Sequence, residues 1–166
     1  MTIANPGYMS DLVKEYDEST PMSTPADENL FNVRESPLLS VSHAKWFHSF
    51  VAKLLYLNKR TRPDILTLVA FLTTRVQSPT EDDRAKLHRG MGYIIGTIGL
   101  SLTLEVEGPI RVTAYVDASF ATHSSDMKSH TGVFITLGKE SFYCPSSCYC
   151  TSSRTGAVSS LMIISA

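Results

Sequence analysis

A carboxylate at the end of an apolar strand is costly unless water, a partner or a metal ion takes its charge. Asp117 stands in such a place: Val112, Ala114 and Val116 alternate with Thr113, Tyr115 and Asp117, the period of a strand. The plain account is an exposed or hydrogen-bonded strand-end aspartate; the chemical one is a metal ligand. The adjacent pair Asp82-Asp83 is better explained by the start of a helix, where two negative charges complement the positive end of the helix dipole. Cys144, Cys148 and Cys150, with His130 or His123, supply zinc-ligand types, but their spacing matches no standard zinc knuckle. His43 and His48 do not share a helical face and read as partly exposed bystanders.

The other chemistry on offer is cationic. Residues 42–93 hold nine Lys and Arg against four acids, whereas residues 1–41 hold two against seven. Lys53, Lys59, Arg60, Arg62, Arg75, Arg84, Lys86 and Arg89 could line one side of a helical block, a stripe suited to phosphates. A solvated helical face is the alternative.

The elements that must position these groups are readable from periodicity. Tyr8, Leu12, Val13 and Tyr16 predict a short amphipathic helix. Asp17 to Ser42, with Pro21, Pro25 and Pro37, predicts an extended linker laid across a surface. Trp46, Phe50, Leu54 and Leu57 share a face over 42–58, widened by Phe47, Val51 and Leu55, so this helix belongs in a core. A second helix is expected from a cap at Thr61-Arg-Pro-Asp64, with Ile65, Leu68, Val69, Leu72 and Val76 as its apolar stripe. A third is expected from a capping box at Ser78-Pro-Thr-Glu81, running through Leu87, Met91, Ile94 and Ile98. Gly90, Gly92 and Gly96 lie inside it, each costing about 1 kcal/mol relative to Ala, so its second half should be weak.

Strands follow. Residues 1–5 suggest a short one, and Leu100–Glu107 alternates and should turn at Gly108-Pro109 to pair with Arg111–Ala118 as a hairpin. Val133–Leu137 and Ser141–Cys144 complete the β-rich part. Residues 145–166 contain no acid, one base and no clear period, and read as an irregular tail. No run is long and apolar enough for a membrane helix, no signal peptide pattern opens the chain, and an odd cluster of three Cys is not a disulfide framework, so a reduced intracellular setting is the expectation.

The words of the chain carry a resemblance. PGYMSDLVKEY with TPMSTPA, then FHSFVAKLLYLNKRTRPDI, SPTEDDRAKLHRGMGYIIGT, YVDASFA and KSHTGVFITLG stand in one order over residues 6–144. Together they resemble the Pol polyprotein of Copia-type LTR retrotransposons, from just after the polymerase active site into the RNase H domain. The resemblance implies an α+β chain: a post-palm segment and extended linker (1–41), a three-helix reverse-transcriptase connection block (42–99), a partial RNase H-like sheet (100–144) and an out-of-family, disordered tail (145–166).

It also implies an incomplete chemistry. Both reactions of that family use paired Mg²⁺ ions held by grouped carboxylates. The polymerase Tyr-x-Asp-Asp turn is absent from this chain. Asp117 corresponds to the first RNase H metal ligand, but no acid follows Glu140 to supply the rest. The expectation is therefore a truncated, catalytically inactive remnant in which Asp117 is vestigial and no cofactor is held. Its partners would be an RNA–DNA hybrid, weakly bound through the basic helices, or other Pol segments, and no membrane. Gly90 and Gly92 stand where relatives carry apolar or basic residues, and Ile95 where they carry Lys.

Overall fold

The computed structural model describes residues 2–16, 20–103, 112–119, 128–137, 140–143, 146–150 and 162–165. The chain is α+β and divides into a helical unit, Ala4–Leu102, and a strand unit, Met1–Ile3 with Thr103–Ala166.

Four helices build the first unit: α1 (Pro6–Tyr16), α2 (Val41–Arg60), α3 (Leu66–Arg75), entered through a 3-10 turn at Pro63–Ile65, and α4 (Glu81–Gly96). α2 begins where the Ser40 hydroxyl accepts from the His43 amide. Its apolar stripe buries Phe47, Phe50, Val51, Leu54 and Leu57 against Ile65, Leu68, Val69, Phe71 and Leu72, with Leu87, Met91 and Ile94 of α4. Trp46 and Leu55, at the stripe's margins, are only half-buried. α1 contributes Met9, Leu12 and Tyr16, the Tyr16 ring lying 5.1 Å from Phe50 and 5.3 Å from Trp46.

Two caps differ from expectation. Thr61 closes α2, its amide bonding Leu57 O, and no side chain caps the 3-10 turn that follows. The capping box of α4 is Thr80 with Asp83, two residues later than Ser78-Pro-Thr-Glu81. The Thr80 hydroxyl accepts from the Asp83 amide, and Asp83 Oδ2 accepts from Thr80 N at 2.9 Å. A carboxylate one methylene shorter than Glu closes the same reciprocal pair.

Residues 20–40 form no helix and are extended apart from a turn at 28–31, and they are part of the helical unit. Leu30 and Leu39 are buried in the core. The strap is tied down along α4 by Met22 N to Gly92 O (3.0 Å), Leu39 N to Pro79 O (2.9 Å) and Glu81 N to Pro37 O (3.0 Å). The helix does not fail at its glycines, which form the seam the strap lies on. A Cβ at Gly92 would meet Thr20 O at 2.4 Å and Met22 Cγ at 2.8 Å, and one at Gly96 would meet Met22 O at 3.0 Å.

In the strand unit β3 (Val112–Ser119) and β4 (Lys128–Leu137) pair antiparallel from Val112↔Leu137 to Ser119↔His130. β5 (Glu140–Tyr143) pairs with the C-terminal half of β4, β6 (Ser146–Cys150) with its N-terminal half, and β7 (Met162–Ser165) with β3. β1 (Thr2–Ile3) pairs with β2 (Leu102–Thr103), so β2 is not the hairpin partner of β3, whose second edge takes β7. Residues 104–111, with the Gly108-Pro109 turn, lie outside the described residues. Two stretches of the segment expected to be a disordered tail, 146–150 and 162–165, are thus strands. The open edges of β4 and β3 supply main-chain partners, which a strand requires even where side-chain alternation is weak.

Candidate nucleic-acid interface

α2 carries no acid along its 20 residues but has Lys45, Lys53, Lys59 and Arg60 with His43 and His48. At 1.5 Å per residue its cations run over about 22 Å, from Lys45 to Arg60. Lys45, His48, Ala52, Tyr56 and Lys59 recur at helical spacing on the exposed side, opposite the buried stripe. The face is richest at its end. Tyr56 is 46% exposed, its ring is 5.1 Å from that of Tyr8, and the Arg60 guanidinium lies over it at 5.4 Å. Burial, with the neighbouring Tyr56 and Glu15, raises the Tyr8 hydroxyl above the usual phenol range. The two rings, tilted by 53° to one another, form an aromatic corner beside the Arg60 cation, and the exposed Tyr56 ring is the kind of group on which a base or sugar stacks.

The eight cations expected to form one stripe are dispersed. Lys59 and Arg60 are exposed and have no acidic partner among the described residues. Lys53 is paired with Glu15 and sits 4.8 Å over the Phe50 ring. Arg84 lies 3.8 Å from Glu81. Lys86 reaches Asp82 at 2.8 Å and donates to Asn32 O, and Arg89 donates to Thr24 Oγ1. Arg75 grips the buried Asp83 at 3.1 Å.

Arg62 is not on a surface at all. Its side chain is wholly buried between α1 and the end of α4. Nε donates to Asp64 Oδ1 at 3.0 Å and Nη2 to Asp64 Oδ2 at 2.8 Å. Nη2 also reaches Thr97 Oγ1 at 2.6 Å, while Nη1 reaches Thr97 O at 3.1 Å and the weak acceptor Met9 Sδ at 3.8 Å. Every N–H of the guanidinium has an acceptor, so none is left for a phosphate. The group instead neutralises the C-terminal end of α4. Burial alone would push the Asp64 carboxyl up, but hydrogen bonding and charge from Arg62, with a hydrogen bond from Tyr93, hold it below the usual carboxylate range.

The cationic stripe expected from the sequence leaves out Lys45, which is exposed on this face. The absence of any acid from Val41 to Arg60 is the signal that would have found the whole face. The candidate metal ligands are less collected. Asp117 is opposite Gly132 in the β3–β4 register, and His130 is opposite Cys148 in β4–β6; Cys144 and His123 lie outside the described residues. Among the described residues no three His, Cys, Asp or Glu side chains gather as a metal site, and no helix is long and apolar enough to cross a membrane.

Three Arabidopsis thaliana proteins resemble the chain. An uncharacterized mitochondrial protein is 36% identical over 123 residues, 71% of this chain and 48% of its own length. Retrovirus-related Pol polyproteins from transposons RE1 and RE2 are 33% and 32% identical over 92 residues, 55% of this chain and 6% of each polyprotein. The chain spans about half of the first relative and a small part of the other two. Neither a protein-family model nor a solved structure matches it. The likeness to Pol polyproteins read from its sequence words is met by these relatives: over 92 residues the chain is similar to Pol polyproteins of two transposons.

Proposed function

We propose that this chain is a nucleic-acid-contacting segment of a Copia-type Pol protein, in which the helical unit grips a duplex backbone through the exposed face of α2. The observation that carries this reading is that face: 20 residues without an acid, with Lys45, Lys59 and Arg60 facing solvent and Tyr56 exposed among them. Cations spaced along a rod neutralise successive phosphates and release counterions, which makes binding sequence-independent and sensitive to salt. The names of two relatives, Pol polyproteins of transposons, support this setting, and an RNA–DNA hybrid is the duplex that chemistry would present.

The antiparallel β3–β4–β5 order supports reading the strand unit as an RNase H-like sheet, in which Asp117 would correspond to that family's first metal ligand. The donor set does not fit the two Mg²⁺ ions. Asp117 brings one carboxylate, and two hard cations require several oxygen ligands. No hydrolytic step is derived through it, and the chain is read as neither copying nor cleaving nucleic acid.

Anisotropy titration of the full chain with a labelled RNA–DNA duplex tests the reading. Binding should be weak and should fall steeply with salt. It should be clearly weakened in a Lys45→Gln, Lys59→Gln, Arg60→Gln triple variant and little changed in Arg84→Gln. Affinity indifferent to salt or to the triple change would overturn it. Hybrid cleavage in Mg²⁺ or Mn²⁺ that vanished in Asp117→Asn would overturn the inactive part.

A further inference from the structure

Among the described residues of the helical unit, every Phe, Trp and Tyr except Tyr56 is buried or half-buried. Tyr56 forgoes the burial that Phe47 and Phe50 of the same helix obtain in the core. Its ring is nonetheless held in place. Tyr8 packs against it, centroids 5.1 Å apart and planes tilted by 53°. Tyr8 is itself fixed by its hydroxyl, which donates to Lys53 O at 3.2 Å. The Arg60 guanidinium lies over the Tyr56 ring, 5.4 Å from its centroid. A ring that is exposed yet buttressed has little freedom to lose when a ligand stacks on it.

Exposed cations stand on both sides of the ring along α2. Lys45 precedes it by about 16 Å, and Lys59 and Arg60 follow within about 6 Å. A strand whose phosphates meet these cations passes over Tyr56 between them. In an uninterrupted duplex the bases cover one another's faces, and drawing one out to meet a side chain is unfavourable. An unpaired base next to a duplex end carries no such penalty, and it gains by stacking on an aromatic face whatever its identity. We infer that the Tyr56 ring takes an unpaired base, so that the chain prefers a duplex continued by a single strand to an uninterrupted one. The inference deepens the reading of the α2 face as a surface that grips a duplex, and it rests on that reading. Arg60 serves the phosphate beside the stacked base, since a guanidinium suits both an aromatic face and a phosphate. Tyr8 is a positioning residue that fixes the ring.

The fluorescent base 2-aminopurine, whose emission is quenched when it stacks, reads the contact directly. The full chain is titrated with an RNA–DNA hybrid that is either blunt or continued on its DNA strand by a short overhang. The overhang carries 2-aminopurine beside the junction, at the 3′ end in one probe and at the 5′ end in another. At least one overhang probe should bind about tenfold more tightly than the blunt hybrid, with its emission quenched on binding. Tyr56→Ala, a change at an exposed position, should abolish the quench and lower overhang affinity more than blunt-hybrid affinity. Tyr56→Phe keeps the ring and should retain both the quench and the preference. Equal affinity for the blunt hybrid and both overhang probes would overturn the inference and leave the duplex reading standing. So would a quench undiminished in Tyr56→Ala. Failure of every probe to bind at low salt would overturn the duplex reading, and this inference with it.

Discussion

Leu68 Cδ2 lies 2.2 Å from where a Cβ on Gly90 would stand, so α3 and α4 approach at this point only because residue 90 has no side chain. Gly92, half a turn on, faces a different neighbour, the Thr20 carbonyl at 2.4 Å. The distinction sets a prediction. In Gly90→Ala the obstacle is the end of a flexible side chain, and a shift of Leu68 is offset by about 1 kcal/mol of helix propensity. In Gly92→Ala the obstacle is main chain, held by the Met22 N to Gly92 O bond, and overpacking should cost about 1–3 kcal/mol. Urea midpoints should fall clearly for Gly92→Ala and little for Gly90→Ala; the reverse order would mean the strap yields more easily than the core.

Arg62 yields a second prediction. Arg62→Lys keeps the charge but cannot hold Asp64, Thr97 O and Thr97 Oγ1 together from one ammonium. Unfolding should become easier by about 3 kcal/mol in Arg62→Lys, nearly as much as in Arg62→Ala, because the polar groups around it lose buried partners. Duplex affinity of the folded fraction should not change. A Lys variant as stable as the parent, with weakened binding, would return Arg62 to the surface role its sequence suggests.

These two residues show where sequence reading succeeds and stops. The helices were legible because burial imposes a period on Trp46 to Leu57 and on Ile65 to Leu72, and a period is local. The partners of Arg62 and Arg75 were not, since Thr97 and Asp83 lie 35 and 8 residues away, and a cation looks the same in sequence whether it faces a phosphate or a buried carboxylate. Gly90 and Gly92 read as weakness in the helix because propensity counts only the helix itself; their use appears once the strap and Leu68 are in place. The strands 146–150 and 162–165 were missed for the converse reason. Their signal is main-chain pairing to β4 and β3, which leaves little mark on side-chain type.

The Arg62–Asp64–Tyr93 cluster predicts a pH profile. Asp64 titrates below its unfolded value of about 3.9, so its contribution is present above that pH and is lost as pH falls through the folded value. Tyr93 is raised by burial and by Asp64, against the pull of Arg62; its contribution is present below about pH 10 and is lost as pH rises through the folded value. Thermal unfolding should show a plateau between these limbs. Asp64→Asn should flatten the acid limb, and Tyr93→Phe should reduce the alkaline one, to which the raised Tyr8 also contributes. An acid limb unchanged in Asp64→Asn would assign it to other carboxylates.

The cap of α4 can be separated from its ion pair. Thr80→Ala removes the hydroxyl that accepts from the Asp83 amide and should cost about 1 kcal/mol. Asp83→Ala removes in addition the buried partner of Arg75 and the acceptor of Thr80 N, and should cost about 3 kcal/mol. Equal effects of the two changes in chemical denaturation would show that the Arg75 contact adds nothing.

The last prediction concerns which cations meet a duplex. Arg75, Arg84, Lys86 and Arg89 have partners inside the helical unit or on the strap, so using them for phosphates would mean breaking bonds already made. Lys45, Lys59 and Arg60 have no such bond to break. Each phosphate contact lowers the slope of log K against log salt by about 0.9 on a duplex. Neutralising these three residues should therefore reduce the magnitude of the slope by roughly 2–3, while Lys86→Gln and Arg84→Gln together should change it by less than about 1. Tyr56→Ala should weaken binding with no change in slope, since stacking releases no counterions. If instead the Lys86 and Arg84 variant carried the larger change in slope, the interface would lie along α4, and the strap would have to move for the duplex to reach it.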